Sequence, residues 1–476
     1  MEKLEKRYKN LSLPLRATIW FAACQFIQKG IGMITTPIFT RLLSTSEYGR
    51  VSSFLSWADI LMPLFTLSVW RGMMNLFAKD YDKDEVLSTT ISLSVVISAV
   101  WSGIILLCSD FLTNYMSITS GMLVGLLFYC FAQNTFYAWM VRMQYDYKYK
   151  PLAIATLLYS VISSVAGALA VVLISRTAES KVYPQIICLM VIVVCIIIVS
   201  LKNKPVLCNK TMWLFCLGFA LPLIPHYLSE VILQSSDRAM INSMCGTSDV
   251  AIYSIAYSVG SLINLVAAAI NSAFVPYQYQ KIKSGDFKTL AKSTNIVIGF
   301  VAFCLCGVML FGREVVLVFG GEKYLDSISL IIPISLGVFF NYVFQLFARV
   351  QEYFEQKHTI VVASLACALL NIILNYIFIK LYSYKAAAYT TFFCYFAFCF
   401  LHYMFYRKAC MNNVKQEIYD IRALAAISAI LILCAIVIGL IGNMYVIKYA
   451  LLAMAIILMV VCRKKIIDFA KSMREG

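Results

Sequence analysis

Apolar residues run along this chain in blocks of about the length that crosses a bilayer as a helix, roughly 20 residues. The blocks lie near 15–40, 50–76, 86–108, 120–142, 151–174, 183–201, 211–234, 250–276, 292–312, 327–350, 358–380, 386–407, 420–442 and 445–462. Short polar gaps separate them and leave no room for a soluble domain. Inside several blocks the polar residues recur at steps of three or four, the spacing of one helix face. The pattern predicts an all-α polytopic membrane protein with about 14 transmembrane helices.

Composition agrees. Of 476 residues 61% are apolar and 13% charged, against roughly 45–50% and about 25% in ordinary globular chains. With a mean hydropathy of +0.80, this excludes a cytosolic enzyme, a secreted domain and a disordered protein. Most of the 16 cysteines, such as Cys195, Cys304 and Cys434, lie inside apolar runs, where they read as small fillers rather than disulfide or metal partners. The segment Met1–Arg16 is polar and basic, and the apolar stretch after it is too long for a cleaved signal peptide. It reads as a first span that stays in the protein.

Charge then orients the spans. The net charge is +16, from 40 Lys and Arg against 24 Asp and Glu. With fourteen spans, twenty-eight of the 40 basic residues fall on the side of the N-terminus and ten opposite, while Lys29 and Arg71 lie within spans. Basic residues accumulate on cytoplasmic loops, so both termini are expected in the cytoplasm. The surplus thus reports topology, with no nucleic acid among the expected partners.

Two short patterns recur at nearly one separation. Ser46-Glu47-Tyr48-Gly49 is matched by Ser248-Asp249-Val250-Ala251, 202 residues on. Asn134, Arg142 and Gln144 are matched by Asn341, Arg349 and Gln351, 207 residues on, and both sets obey Asn-x7-Arg-x-Gln. A duplication of six spans keeps the same topology in both halves, related by an axis along the membrane normal. The expected organisation is an N-terminal six-helix bundle over 1–204 and a C-terminal one over 205–410, with a cavity between them. Residues 411–476 then add two transmembrane helices and a basic cytoplasmic tail.

Polar side chains are costly in hydrocarbon and usually face a protein interior or an aqueous cavity. Gln25, Gln28, Lys29, Gly32 and Thr36 line one side of the first span, and Ser52, Ser56, Asp59 and Thr66 one side of the second. His226, Glu230, Gln234 and Asp237 step along the seventh, and Asn341, Gln345, Arg349 and Glu352 along the tenth. Helix–helix bridging is an alternative use for the uncharged members. Lys29, near mid-span, implies either attraction of an anionic ligand or a pair with Asp59. Arg71, Arg142 and Arg349, toward cytoplasmic ends, either line the inward mouth of the cavity or snorkel to the interface. These four cations are the candidate substrate-binding residues. Asp59, His226 and Glu230 are candidates for ion coupling, since an imidazole or a buried carboxylate titrates near neutrality. Pro222 and Pro225 predict a bent or broken seventh helix, and Asp237-Arg238 a local ion network or gate. No P-loop, HExxH, Cys/His zinc spacing or GxSxG elbow is present, so neither catalysis nor a cofactor or metal is expected.

Three stretches resemble bacterial oligosaccharide flippases of the multidrug/oligosaccharidyl-lipid/polysaccharide exporter superfamily. The first is Pro37-Ile38-Phe39-Thr40-Arg41-Leu42-Leu43-Ser44 with Ser46-Glu47-Tyr48-Gly49. The second is Leu221-Pro222-Leu223-Ile224-Pro225-His226-Tyr227-Leu228 with Asp237-Arg238, and the third runs from Ala251 to Gly260. The likeness extends over about 15–410. It implies a MATE-like pair of parallel six-helix repeats working by alternating access in the bacterial cytoplasmic membrane. It implies a substrate of undecaprenyl-diphosphate-linked O-antigen or capsule repeat units, for surface polysaccharide biosynthesis. A polysaccharide polymerase and a chain-length regulator are then expected partners beside the lipid-linked oligosaccharide and the bilayer. Two rivals are a cation-coupled multidrug exporter of the same superfamily and a membrane polysaccharide polymerase or ligase. The latter should carry a long outer loop, which this chain lacks.

Overall fold

The computed structural model describes residues 13–441 except Ala78 and Asp80, and it is helical with no strand among them. In chain order the helices are α1 (Leu13–Leu42), α2 (Thr45–Phe65), α3 (Met73–Phe77), α4 (Lys83–Leu107), α5 (Ser109–Met116) and α6 (Ser120–Tyr145). Then come α7 (Tyr149–Leu173), α8 (Ala178–Asn203), α9 (Lys210–Ala220), α10 (Ile224–Met244), α11 (Thr247–Gly260) and α12 (Ile263–Ser284). The series ends with α13 (Phe287–Leu310), α14 (Gly312–Phe319), α15 (Ile328–Tyr353), α16 (Lys357–Leu381), α17 (Ala386–Asn413) and α18 (Ile421–Ile441).

Each apolar block through 420–442 lies on helix; the last, 445–462, is outside the described residues. Among the described residues eight helices are long and apolar enough to cross a membrane, or up to 11 if each bent pair is one span. The first helix falls outside that number because Gln28 and Lys29 interrupt its apolar run. Two gaps expected to be plain loops contain the short helices α5 and α14. Helix α5 is amphipathic, with Phe111 and Tyr115 exposed and Met116 buried, so it forms by covering one end of the bundle.

Local sequence sets the helix starts. Ser44, Asp82, Thr119, Asn209 and Asp286 each accept a hydrogen bond from a backbone N–H in the following turn, satisfying donors that have no partner within the helix. Three spans are bent. Helix α2 and the segment Val69–Phe77 meet at 55°, α5 and α6 at 93°, and Lys210–Leu223 and Tyr227–Met244 at 54°. Pro222 and Pro225 account for the last, as expected. The first follows Pro63, near the end of α2, and beyond it Leu67 and Ser68 take left-handed backbone angles of 49° and 48° without being glycine. Such residues cost about 1–3 kcal/mol each and tend to mark functional sites.

The fold comprises two compact units. One holds the chain through Ser254, with Phe319–Lys323 and Ala368–Ala387; the other holds Ile255–Val318, Tyr324–Cys367 and the chain from Ala388 on. In the first, α10 packs along α2, and α8 lies against α6 and α7. Two buried clusters fill it, one around Phe54, Met122 and Val182 and one around Val69, Met73, Phe136 and Leu189. In the second, α13 packs on α12, α15 and α18. Leu107, Leu173, Ile174 and Leu440 are among many large apolar side chains left exposed, as a bilayer-facing surface requires.

Candidate functional site

The two broken spans of the first unit meet at their breaks. Thr66 ends α2, its hydroxyl donating to the Met62 carbonyl at 2.7 Å while accepting from the Ser68 N–H at 3.2 Å. After the left-handed Leu67 and Ser68 the chain makes one 3-10 turn, Val69–Gly72. Val69 and Met73 are fully buried and anchor this turn in the core. Gly72 lets α9 approach: a Cβ there would already touch the Cα of Cys216, at 3.4 Å. Of the remaining two residues, Trp70 packs part of its ring on the same cluster, and Arg71 is turned out of the core. Arg71 is exposed, and its guanidinium lies over Tyr227 at 3.8 Å and over Trp70 at 4.8 Å. Among the described residues it makes no ion pair. A membrane-depth cation without a carboxylate partner needs water, an anion or π-faces around it.

Asp59 lies on the exposed side of α2, two turns before the break, and accepts a hydrogen bond from Ser235 of α10 at 3.3 Å. Arg238 donates to the Gln234 carbonyl at 2.9 Å and to the Ser235 hydroxyl at 3.4 Å, and its charge acts on Asp59. The chain Arg238–Ser235–Asp59 therefore ties α10 to α2. Lys29, exposed on α1, forms no ion pair with Asp59.

Asp237 points elsewhere, because successive helix residues lie about 100° apart. Its carboxylate is buried and accepts from the Tyr253 hydroxyl and, at 2.6 Å, from Asn375. Asn375 also donates to Asn371 at 3.2 Å, which accepts from Ser236 at 2.9 Å. This network joins α10, α11 and α16. Sequence reasoning did not single out Tyr253, Asn371 or Asn375; the available signal was an Asn pair at i, i+4 inside an apolar run. Glu230 is exposed nearly two turns after the start of α10. The His226 side chain lies outside the described residues.

The repeat-related arginines have unlike partners. Arg142 is buried and bridges Asp84, at 3.1 Å, and Asp146. Lys83 and Lys148 complete the cluster at 2.7 and 3.6 Å from Asp146. Burial raises the Asp146 carboxyl, but Lys83 and Arg142 outweigh it and hold the group below the usual carboxylate range. Arg349, half-buried, donates to the neutral amide oxygen of Gln278 at 3.3 Å. The amide of Gln278 in turn donates to the Tyr419 hydroxyl at 3.3 Å.

The two stretches of the other repeated motif meet. Ser46 and Thr247 share a hydroxyl–hydroxyl bond of 2.8 Å, and a Cβ on Gly49 would overlap the Thr247 carbonyl oxygen. The start of α2 thus crosses the start of α11 closely enough to require glycine. Nearby, Lys323 donates to the Leu43 carbonyl at 2.6 Å and Thr40 to the Phe319 carbonyl at 2.6 Å.

Comparison with known proteins places this arrangement. A "Lsg locus putative protein 1" of Haemophilus influenzae is 32% identical over 69 residues, 14% of this chain and 17% of that protein's own length. A "Putative O-antigen transporter" of Shigella flexneri is 24% identical over 387 residues, 76% of this chain and 87% of the relative. Among solved structures, the lipid II flippase MurJ in an inward closed conformation shares the fold, with a TM-score of 0.69 at 15% identity over 94% of this chain and all of MurJ. The MatE family profile matches residues 222–377, and the profile described as "Polysaccharide biosynthesis protein" matches residues 15–281, more than half of the chain. The chain belongs to the polysaccharide biosynthesis protein family.

Proposed function

We propose that this multi-pass membrane protein of the transporter class is a flippase. It carries polyprenyl-diphosphate-linked oligosaccharide repeat units from the cytoplasmic to the outer leaflet of the bacterial cytoplasmic membrane, for surface polysaccharide assembly. One observation carries the reading: Arg71, at the break of a bent helix pair, is exposed and lies on two aromatic faces, with no ion pair among the described residues. The 24% identity with the Shigella flexneri relative, named as an O-antigen transporter, supports it.

A diphosphate cannot enter hydrocarbon without its hydration being replaced. Arg71 supplies a planar, permanently charged fork suited to phosphate oxygens, and Lys29 a second cation. Arg349 adds positive potential at the end of its helix, whereas Arg142, held between Asp84 and Asp146, braces the helices around it. The polyprenyl tail stays in lipid while the halves 1–204 and 205–410 rock about the site. Asp59, Arg238, His226 and Glu230 are the groups through which an ion gradient acts, and Asp237 with Asn375 and Tyr253 forms a gate. Both termini are cytoplasmic, and a polymerase with its chain-length regulator receives the product.

A second reading, a cation-coupled multidrug exporter, is favoured by the buried Asp237 network and by the MatE match over the same region. The deciding experiment labels lipid-linked repeat units in a strain deleted for this gene and complemented with variants. The flippase reading expects the repeat unit to accumulate on the cytoplasmic face, with relief by the intact gene and not by Arg71→Ala. An unchanged leaflet distribution in the deletion strain would sink it. The exporter reading expects drug resistance that survives Lys29→Ala and is lost on Asp237→Asn.

A further inference from the structure

We infer that Trp70, Tyr137 and Tyr227 form a stacking platform for the first sugar ring, the one joined to the diphosphate. The inference rests on the flippase reading and names a part of its substrate that the cations alone do not recognise.

The geometry starts with the 3-10 turn. Val69 and Met73, both fully buried, supply its main anchorage, and Trp70 packs only partly on the same cluster. Its ring instead meets Tyr137 of α6 at 5.3 Å with planes 37° apart, and Arg71 lies over its face. Tyr137 belongs to the face Tyr129–Gln133–Tyr137, spaced by four along α6. Gln133 adjoins the Tyr137 hydroxyl, and the charges of Asp59 and Arg71 both reach it. Tyr227 closes the other side of the guanidinium from the first turn of α10. Trp70, Tyr137 and Tyr227 are all only partly buried. Trp70 also packs against the second core cluster, yet all three rings keep accessible surface, unlike Phe54, Phe65 and Phe77, which are almost wholly covered.

A pyranose presents an apolar C–H face and a rim of hydroxyls. Aromatic rings offer a negative π-face to such C–H groups, while Gln133 and Asp59 offer bonds to the rim. The diphosphate projects from the ring's anomeric carbon. A sugar on Trp70 and Tyr137 therefore leaves its phosphates within the reach of Arg71. The left-handed Leu67 and Ser68 have a purpose in this arrangement: they bring adjacent residues, a ring and a cation, to bear on adjacent parts of one ligand.

The test uses the full-length protein in lipid nanodiscs and two probes: undecaprenyl diphosphate, and the same lipid bearing one N-acetylhexosamine. The intact protein should bind the sugar-bearing lipid about tenfold more tightly, the increment of roughly 1.4 kcal/mol. Tyr137→Leu should abolish that difference and leave affinity for the bare diphosphate unchanged, while Trp70→Ala, which also removes a face from beneath Arg71, should abolish the difference and weaken both probes. Trp70→Phe, which keeps a ring and guards against loss of the fold, should retain most of it. Arg71→Ala should weaken both probes. The platform is overturned if Tyr137→Leu keeps the increment or weakens both probes alike, if Trp70→Ala keeps the increment, or if the intact protein binds the two equally. If the intact protein binds neither probe, the flippase reading itself fails and the platform with it.

Discussion

Arg142 and Arg349 stand at the same place in the same repeated pattern, yet one is saturated and the other is not. Arg142 is buried between two carboxylates with two lysines behind them. Arg349 is half-buried and reaches a neutral amide at 3.3 Å. The reason is in what each half supplies at the neighbouring helix start. The segment Asp82–Glu85 brings acids to α4 beside Arg142, whereas the residue facing Arg349 on α12 is Gln278. A repeated arginine has become a structural cross-link in one half and an adaptable cation in the other.

The largest expected effect tests this division. Arg142→Ala removes two charged bridges, each worth about 1.5–3 kcal/mol at most, with Lys83 still beside Asp146 and Asp84 partly exposed. Arg349→Ala loses one bond to a neutral group, about 1 kcal/mol. Thermal unfolding of the detergent-purified variants should therefore separate them clearly, with Arg142→Ala much the less stable. Equal losses would mean that the two sites are alike despite their partners.

The other repeated motif repeats the lesson with backbone in place of charge. Gly49 and Ala251 correspond in sequence, and only Gly49 lies where a Cβ overlaps a carbonyl oxygen, that of Thr247. Gly49→Ala should cost about 1–3 kcal/mol by overpacking and weaken the crossing of α2 and α11. A disulfide between paired cysteines at Ser46 and Thr247 would report that crossing, forming readily in the intact background and more slowly with Gly49→Ala. A rate unaffected by Gly49→Ala would show that the crossing is not tight.

Much of this was legible in the chain. The apolar blocks located the helices because bilayer thickness fixes their length, and the two prolines located the break between α9 and α10. Near the break after α2 the chain offers Pro63, but the left-handed angles of Leu67 and Ser68, beside the buried Val69 and Met73, were not legible. Arg71 stood out as a cation inside a span, but nothing in the sequence placed Tyr227 over it, 156 positions away. Asp146, one turn after Arg142, was a visible partner; Asp84 was not, because its contact spans 58 positions. Long-range partners are what distinguished the two repeat arginines, and pattern alone gave them one role.

The smallest effect expected is in acid, and it isolates the lysine side of the Arg142 cluster. Lys83 and Arg142 hold the Asp146 carboxyl below its ordinary range against the effect of burial. A depressed carboxylate stabilises the fold above its unfolded value, about 3.9, and that contribution is lost as pH falls through the folded value. Lys83 is half-exposed, so Lys83→Met should cost under about 1 kcal/mol at pH 7. Its clearer mark should be a flatter decline of melting temperature below about pH 4, because less depression remains to be lost there. Asp286, which Lys281 and Thr289 also hold low, is untouched by the change and keeps some acid slope in both proteins. A decline as steep in Lys83→Met as in the intact chain would show that Arg142 alone sets the Asp146 charge, making the arginine still more a fixed part of the scaffold.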